Sequence, residues 1–245
     1  FGQVVMNHAV EWALERAGRY GVAAVTVKNA NHIGRLGSYM QRVAEAEMIG
    51  LLCTNSHGGG SIVAPWGGKA GRLGTNPLAA GFPGAEGGSL VLDMTTSVVA
   101  EGKVRIKRNR GEPAPAGWIV DAEGAASTDP EDFYGEPRGS LLPFGGSMGH
   151  KGYGLGVVVE LLGGALSGAG CARGKNVRNG NGNFLLVVDI ARFQPLAEYK
   201  SQIKAYIEYL KATPKADGFA DILLPGELED RERDRRRDGV FVEDE

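Results

Sequence analysis

The stretch Asn31-His32-Ile33-Gly34-Arg35-Leu36-Gly37 lies between a predicted strand and a predicted helix. Before it, the apolar and β-branched run 23–27 predicts a buried strand. After it, Met40, Val43 and Ala44 recur at helical spacing. A polar histidine among glycines at a strand end is typical of α/β enzymes, which place catalytic and cofactor-binding groups in such loops. Because the chain has only 4 histidines, His32 has few competitors for an acid/base role.

Length, composition and charge limit the classes of protein to which the chain can belong. Its 245 residues, 42% hydrophobic and 23% charged, fit one large or two small globular domains. The net charge of −2 shows no overall basic excess that would indicate nucleic-acid binding, so no nucleic-acid partner is predicted. The densest charge run, 227–238, mixes both signs and predicts a solvated helix or tail.

The two cysteines, Cys53 and Cys171, indicate no disulfide framework, and Cys53 lies in an apolar run that predicts a buried thiol. A reducing cytosol suits such a chain, and no signal peptide or membrane-spanning run is visible. We therefore predict a cytoplasmic protein with no membrane partner. The motifs of common metal sites and of nucleophile-elbow hydrolases are missing from the sequence, so neither chemistry is predicted.

Helices and strands alternate along the chain, which predicts an α/β or mixed α+β fold. No Gly-x-Gly-x-x-Gly follows a strand, so a Rossmann fold has no support. The predicted strands span residues 23–28, 49–54, 78–82, 89–93, 118–121 and 184–190. The predicted helices span residues 4–18, 38–48, 152–168 and 196–212. A glycine-rich loop is predicted over 57–71 and a long polar section over 122–150.

Two of the predicted helices carry clear packing signals. Helix 152–168 is apolar almost all round, which predicts that it is buried, and its many glycines predict close backbone packing. Helix 196–212 is amphipathic. Its apolar face is formed by Leu196, Tyr199, Ile203, Ile207 and Leu210.

Three further segments each leave a structural and a functional interpretation open. Gly74-Thr75-Asn76-Pro77 is a tight turn, or it offers Thr75 and Asn76 as hydrogen-bond donors to a ligand. Asp93, at a strand end, either caps a helix or binds a ribose hydroxyl. Gly149-His150-Lys151-Gly152 opens a helix, so it is either a glycine-allowed turn with a solvated lysine or a phosphate site.

Taken in chain order, these segments and several others resemble the type-2 malate/L-lactate dehydrogenase family of NAD(P)-dependent oxidoreductases, and in particular its hydroxycarboxylate dehydrogenase B branch. The resemblance covers nearly the whole chain. Its landmarks are Asn31-His32-Ile33-Gly34, Asn55-Ser56, Ala64-Pro65-Trp66-Gly67-Gly68, Gly74-Thr75-Asn76-Pro77, Asp93-Met94-Thr95-Thr96-Ser97, Gly102-Lys103, Thr128-Asp129-Pro130, Leu142-Pro143-Phe144-Gly145-Gly146, Lys151-Gly152-Tyr153-Gly154-Leu155 and Leu224-Pro225-Gly226-Glu227.

The resemblance implies a non-Rossmann fold with a mixed sheet and packed helices, a homodimer, and NAD or NADP bound in an extended cleft. It implies that His32 is the acid/base and that Thr75 lies near the substrate. The residues that it places along the cofactor are Ser56, Asp93, Met94, Thr95, Lys151, Gly152, Gly226, Glu227 and Leu228.

The implied reaction is hydride transfer between NAD(P) and a small 2-hydroxy acid/2-oxo acid pair. A variant of the same class is reduction of a cyclic imino acid, in which the hydride reaches a C=N bond. A third interpretation, from another class, is a truncated dinucleotide-binding module without catalysis.

The start of the chain departs from the family pattern. Family members begin with a helical segment that carries a Ser-His-Gly motif, followed by an arginine and a tyrosine, which help bind or protonate the substrate. The present sequence begins at Phe1 without it, so residues 1–245 are expected to form a single catalytic and cofactor-binding unit that lacks this segment and has little activity alone. Ser56-His57-Gly58 spells the same tripeptide but follows the second strand, so the upstream role is not transferred to it.

Overall fold

The structure is a computed structural model that describes residues 1–57, 61–173 and 180–240. Its strands are β1 (Val22–Ala30), β2 (Met48–His57), β3 (Leu78–Pro83), β4 (Ser89–Met94), β5 (Ile119–Val120), β6 (Ala126–Ser127), β7 (Ser140–Leu141) and β8 (Gly180–Asp189). Its α-helices are α1 (Gly2–Tyr20), α2 (Gly37–Glu45), α3 (Glu101–Asn109), α4 (Pro130–Tyr134), α5 (His150–Glu160), α6 (Leu196–Lys211) and α7 (Glu227–Arg235). Within the described ranges, no helix combines the length and apolarity needed to cross a bilayer.

The main sheet has five strands in the order β1-β8-β2-β3-β4. Every neighbouring pair of these strands is antiparallel, so the expected mixed sheet is corrected to an antiparallel one. The reason lies in β8, which comes from far along the chain and inserts between β1 and β2. Because β8 opposes both neighbours, β1 and β2 run in the same direction without pairing with each other.

One face of this sheet is covered by α1 and α2, and the larger hydrophobic core lies between these helices and the sheet. Met40 of α2 packs closely on the paired positions Gly50 of β2 and Gly81 of β3, and its backbone leaves room only for glycine at Gly81. A Cβ built at Gly81 would lie 2.4 Å from the Met40 carbonyl oxygen. Fully buried Val10, Met40 and Leu52 are typical members of this core. Because α1 and α2 cover this face, the opposite face of the sheet is left for α5.

A second, smaller core lies under the three-stranded sheet β6-β5-β7 and the helices α3 and α4. Phe133, Ile119 and Leu141 fill it. Most of these short elements were not predicted, because two-residue strands and a five-residue helix show no measurable periodicity. The start of α4 follows a local rule, since the Asp129 carboxylate accepts the Glu131 N–H at 2.9 Å and Pro130 begins the helix.

The predicted helix 152–168 consists of α5 followed by a π-helical segment, Leu161–Leu166. The prediction of close backbone packing is confirmed: a Cβ built at Gly182 of β8 would lie 2.0 Å from the Gly163 carbonyl oxygen. The prediction of full burial is wrong, since Leu161 and Leu166 are exposed. The segment turns its glycines to the sheet and its larger apolar side chains outward.

The remaining helices follow the sequence pattern. All five predicted apolar-face residues of α6 are partly buried, while most of its other side chains are exposed. The mixed charge run forms α7, which has no buried residue, so the prediction of a solvated helix is confirmed.

Candidate active site

The predicted site residues share one edge of the main sheet, where several of its strands begin or end. Because all strand pairs are antiparallel, the ends of β1, β2 and β4 meet the starts of β3 and β8 at this edge. Asn181 of β8 pairs with Ala30 on one side and Ser56 on the other. Met94 pairs with Leu78, three residues after Thr75. Residues that are far apart in sequence are therefore neighbours along this edge of the sheet.

His32 lies in the loop between β1 and α2, as predicted, and its side chain is exposed. The loop itself is anchored by buried Ile33, whose carbonyl oxygen accepts the Tyr39 hydroxyl. The start of α1 packs against it so closely that a Cβ at Gly2 would lie 2.5 Å from the His32 carbonyl oxygen. A fixed backbone with a free imidazole is the arrangement that an acid/base residue requires.

Asp93, at the end of β4, joins the His32 loop to the sheet edge. Its Oδ2 accepts the N–H of Gly37, the first residue of α2, at 2.7 Å and lies 3.8 Å from Arg35 Nε. Burial raises the pKa of this carboxyl, as does the charge of Glu229, against the opposing effects of the Gly37 N–H and the Arg35 guanidinium. Asp93 thus caps a helix, although not the one that follows it in sequence. The ribose-binding interpretation stays a prediction.

The segment before α7 lies along the same strand. The Val91 N–H donates to the Pro225 carbonyl oxygen at 3.1 Å, and Gly226 begins α7 with a φ of 98° that favours glycine. Gly226 is so close to β4 that a Cβ there would lie 3.3 Å from the Val91 carbonyl oxygen. Leu228 is exposed. The structure therefore brings the predicted residue Gly226 to the strand that carries Asp93, and Leu228 lies two residues further on in α7.

Glu227 has structural partners within its own region. Burial opposes its ionisation, but the Lys211 ammonium and the Leu224 N–H outweigh this and hold the pKa of the carboxyl below its usual value. Lys211 Nζ lies 2.5 Å from its Oε2 and Leu224 N lies 2.9 Å from the same atom. Its carboxylate therefore ties α6 to the start of α7, and its predicted cofactor role is untested.

Ser56 and Thr75 meet through Gly74. A Cβ built at Gly74 would lie 3.4 Å from Ser56 Cβ. The Thr75 carbonyl oxygen accepts the Thr96 N–H at 2.9 Å, which places Thr75 beside the segment that includes Met94 and Thr95. The tight-turn interpretation of 74–77 therefore holds for its backbone, while the turn also presents Thr75 at the shared edge.

Lys151 and Gly152 reach the same region through Phe144. The Phe144 N–H donates to the Thr96 carbonyl oxygen at 2.9 Å, and a Cβ at Gly152 would lie 2.0 Å from the Phe144 carbonyl oxygen. Only glycine fits at this third position of α5. Lys151 is exposed at the same helix start. The first turn of α5 therefore offers backbone N–H groups and a free cation next to Thr96.

Sequence reasoning missed two contributors to the site. The sequence pattern indicated no role for Arg35, which lines a cavity of about 360 Å³ with Glu229 and Arg233 of α7. Glu160 was missed altogether: it is the one buried carboxylate among the described residues and it lies at the end of α5. An acidic residue inside an apolar helix was the signal that could have pointed to it.

Other polar candidates lie elsewhere. His8 is exposed on α1, 3.4 Å from Glu11. Cys53 is a buried free thiol, as predicted, and burial raises its pKa to about 11. The side chain of His57 and residue Gly58 lie outside the described residues. In the described ranges, no group of three or more His, Cys, Asp or Glu side chains is close enough to hold a metal ion.

The chain matches the family model of malate/L-lactate dehydrogenase over residues 1–245. It is 40% identical to an L-lactate dehydrogenase of Cupriavidus necator over 246 residues, covering 99% of this chain and 70% of that one. It is 36% identical to hydroxycarboxylate dehydrogenase B of Escherichia coli over 98% of this chain and 66% of that one. The solved sulfolactate dehydrogenase of Methanocaldococcus jannaschii superposes with a TM-score of 0.86 at 35% identity, covering 99% of this chain and 69% of that one.

The fold is that of solved malate/lactate-type dehydrogenases, and the chain belongs to the malate/L-lactate dehydrogenase family. The predicted family, fold class and oxidoreductase class are thereby confirmed at the level of the family. The chain spans about two thirds of the length of the relatives it matches.

Proposed function

We propose that this chain transfers a hydride between NAD or NADP and a small 2-hydroxy acid/2-oxo acid pair. The observation that carries the proposal is the shared sheet edge, at which His32, Ser56, Thr75 and Asp93 come together from four separate segments. The relatives include L-lactate, malate and L-sulfolactate dehydrogenases, whose substrates are 2-hydroxy acids.

The residues at this edge fit a nicotinamide dinucleotide. Asp93 offers a carboxylate to a ribose hydroxyl, and Lys151 at the start of α5 offers a cation to the pyrophosphate. Gly74 leaves space beside Ser56, where a side chain would intrude. Asn76 Oδ1 is buried and has no hydrogen-bond partner within the described part of the chain, so it is an acceptor ready for a donor.

When bound, the nicotinamide ring supplies or accepts the hydride. The task left to the protein is the proton: a ring nitrogen of His32 takes the hydroxyl proton as the 2-hydroxy acid is oxidised, and returns it to the carbonyl oxygen in the reverse direction. The exposed imidazole on an anchored loop suits this exchange. Thr75 lies near the substrate, where its hydroxyl can donate a hydrogen bond.

We extend the proposal to the assembly and the compartment. The sheet face away from α2 keeps Phe82 and Leu92 about one third exposed, and Leu161 and Leu166 on the covering segment are more than half exposed. Apolar surface of this kind supports a homodimer. The compartment that we propose is the cytoplasm. Elution of the chain as a monomer at micromolar concentration would contradict the dimer.

The cyclic imino acid alternative also has support. The solved Δ1-piperideine-2-carboxylate reductase of Pseudomonas syringae superposes with a TM-score of 0.81 at 29% identity. The test is therefore an assay of NADH and NADPH oxidation with a panel of 2-oxo acids and cyclic imino acids. Turnover of a 2-oxo acid supports the proposal. Turnover of imino acids alone selects the alternative, and cofactor binding without turnover selects the non-catalytic module.

A further inference from the structure

Glu160 lies beneath the proposed site and touches its two neighbouring segments at once. Its Oε1 accepts Asn55 Nδ2 at 3.0 Å, and its Oε2 accepts Asn76 Nδ2 at 2.7 Å. Asn55 directly precedes Ser56, and Asn76 directly follows Thr75. One carboxylate therefore connects the backbone of a proposed cofactor residue to that of a proposed substrate residue.

The connection is built for rigidity. All three side chains are at least nine-tenths buried. The Ala172 N–H adds a third donor to the carboxylate at 2.6 Å, and Asn55 Oδ1 in turn accepts the Gly182 N–H of β8 at 3.0 Å. Because every one of these partners donates, the carboxylate is matched on both oxygens. A buried carboxylate matched in this way holds its donors in a single arrangement.

Asn76 shows why such a clamp is needed. Its φ of 38° is unusual for a residue other than glycine. Its Nδ2 donates to both Glu160 Oε2 and the Gly156 carbonyl oxygen, which fixes the amide plane and leaves Oδ1 on the side of Gly74. The strained turn is held by α5, the helix that begins with Lys151 and Gly152.

We propose that Glu160 is a positioning residue: it holds Ser56 and Thr75 in register with each other and with the start of α5, so that cofactor and substrate are bound in one fixed geometry. This inference rests on the proposed function. Small misplacements of bound reactants lower rates by as much as 10² per ångström, so the loss of this clamp is expected to be visible in kinetics.

The test compares Glu160→Gln with Val104→Ala. The first variant keeps the shape of the side chain but turns one acceptor into a donor facing Asn76. The second is a stability control, because Val104 is fully buried in the smaller core, away from the sheet edge. For Glu160→Gln we expect roughly tenfold to hundredfold lower kcat/KM, with a raised KM for the oxo acid and weaker NADH binding in calorimetry. For Val104→Ala we expect a lower Tm with unchanged KM and affinity.

A rescue variant separates positioning from folding. In Asn76→Asp/Glu160→Gln, the introduced amide donates to the introduced carboxylate, so the polarity of that bond is reversed. We expect its affinity for NADH to exceed that of Asn76→Asp alone, in which two carboxylates face each other. Amide exchange at Thr96 and Gly182 should be faster in Glu160→Gln and slower again in the double variant.

The outcomes are distinct. If the wild-type chain binds neither NADH nor NADPH, the proposed function fails. If the wild type binds and Glu160→Gln matches it in affinity and KM, the positioning role is refuted. A lower Tm for Glu160→Gln with unchanged affinity also refutes it, since Glu160 would then serve folding alone.

Discussion

Two carboxylates near the same sheet edge are held in opposite ways. Asp93 is partly exposed, accepts a backbone N–H of α2, and has its closest cation 3.8 Å away. Glu160 is buried and accepts N–H donors on both oxygens. The Gly37 N–H and the Arg35 guanidinium do not offset the cost of burying the charge of Asp93, so burial raises the pKa of its carboxyl. The Asp93 carboxylate therefore keeps acceptor capacity that a ligand could use, as we propose, whereas that of Glu160 is taken up by contacts within the fold.

We define the Asp93 region as Arg35, Gly37 and Asp93, together with the adjoining His32 loop. The Glu160 region comprises Asn55, Asn76 and Glu160. If the comparison is correct, substitutions in the Asp93 region change chemistry and ligand affinity with little loss of stability. Substitutions in the Glu160 region change stability and geometry together.

The largest effect is expected from His32→Ala. Because the residue is proposed to move the substrate proton, kcat should fall about 10²–10⁴-fold, while NADH affinity and Tm stay close to wild type. His32→Asn, which keeps a polar group, should be equally slow. His8→Ala, at the exposed histidine of α1, is the matched control. Turnover of a 2-oxo acid near the wild-type rate by both His32 variants would remove His32 from the reaction.

A large effect on stability is expected from Glu160→Ala. Removing the carboxylate leaves one amide N–H each of buried Asn55 and Asn76, and the partly buried N–H of Ala172, without an acceptor. The two amides keep their bonds to the Gly170 and Gly156 carbonyl oxygens. The free energy of unfolding should fall by about 3–5 kcal/mol. Asp93→Ala, which removes only a helix cap, should cost about 1 kcal/mol. Urea denaturation of the two variants gives both values. Equal losses of free energy of unfolding would contradict the different roles of Asp93 and Glu160.

The sequence predicted the Asp93 region better than the Glu160 region, for a physical reason. His32 and Asp93 follow strands with clear apolar periodicity, so their positions at strand ends were visible. The contact between Asp93 and α2 was not, because it joins residues 56 positions apart. The antiparallel sheet was likewise hidden, since the insertion of β8 between β1 and β2 depends on long-range pairing. Glu160 was lost in an apolar run, because hydrophobic patterning says nothing of buried polar partners.

Lys151→Ala tests the proposed contribution of an exposed residue to cofactor affinity. Lys151 is exposed and free to approach a phosphate, so its loss should weaken NADH or NADPH binding about tenfold to hundredfold, equivalent to about 1.5–3 kcal/mol. The fold should be unaffected. Lys215→Ala, at an exposed lysine near Ala220, is the control. Calorimetry that gives equal affinities for wild type and Lys151→Ala would exclude Lys151 from the site.

The smallest effect concerns the pH dependence of stability in the Asp93 region. Burial raises the pKa of Asp93 above the usual value of 3.8, so the folded chain holds this proton more tightly than the unfolded chain. Its contribution to the free energy of unfolding is therefore largest below 3.8 and falls as pH rises through the folded pKa. Asn at this position keeps an acceptor for the Gly37 N–H but cannot ionise. In urea titrations from acidic to neutral pH, Asp93→Asn should gain stability relative to wild type as pH rises, whereas Asp217→Asn, at an exposed position, should not. A wild-type advantage that instead grows with pH would mean that the folded state favours the charged carboxylate of Asp93, which would contradict the proposal that this carboxylate is held with acceptor capacity to spare.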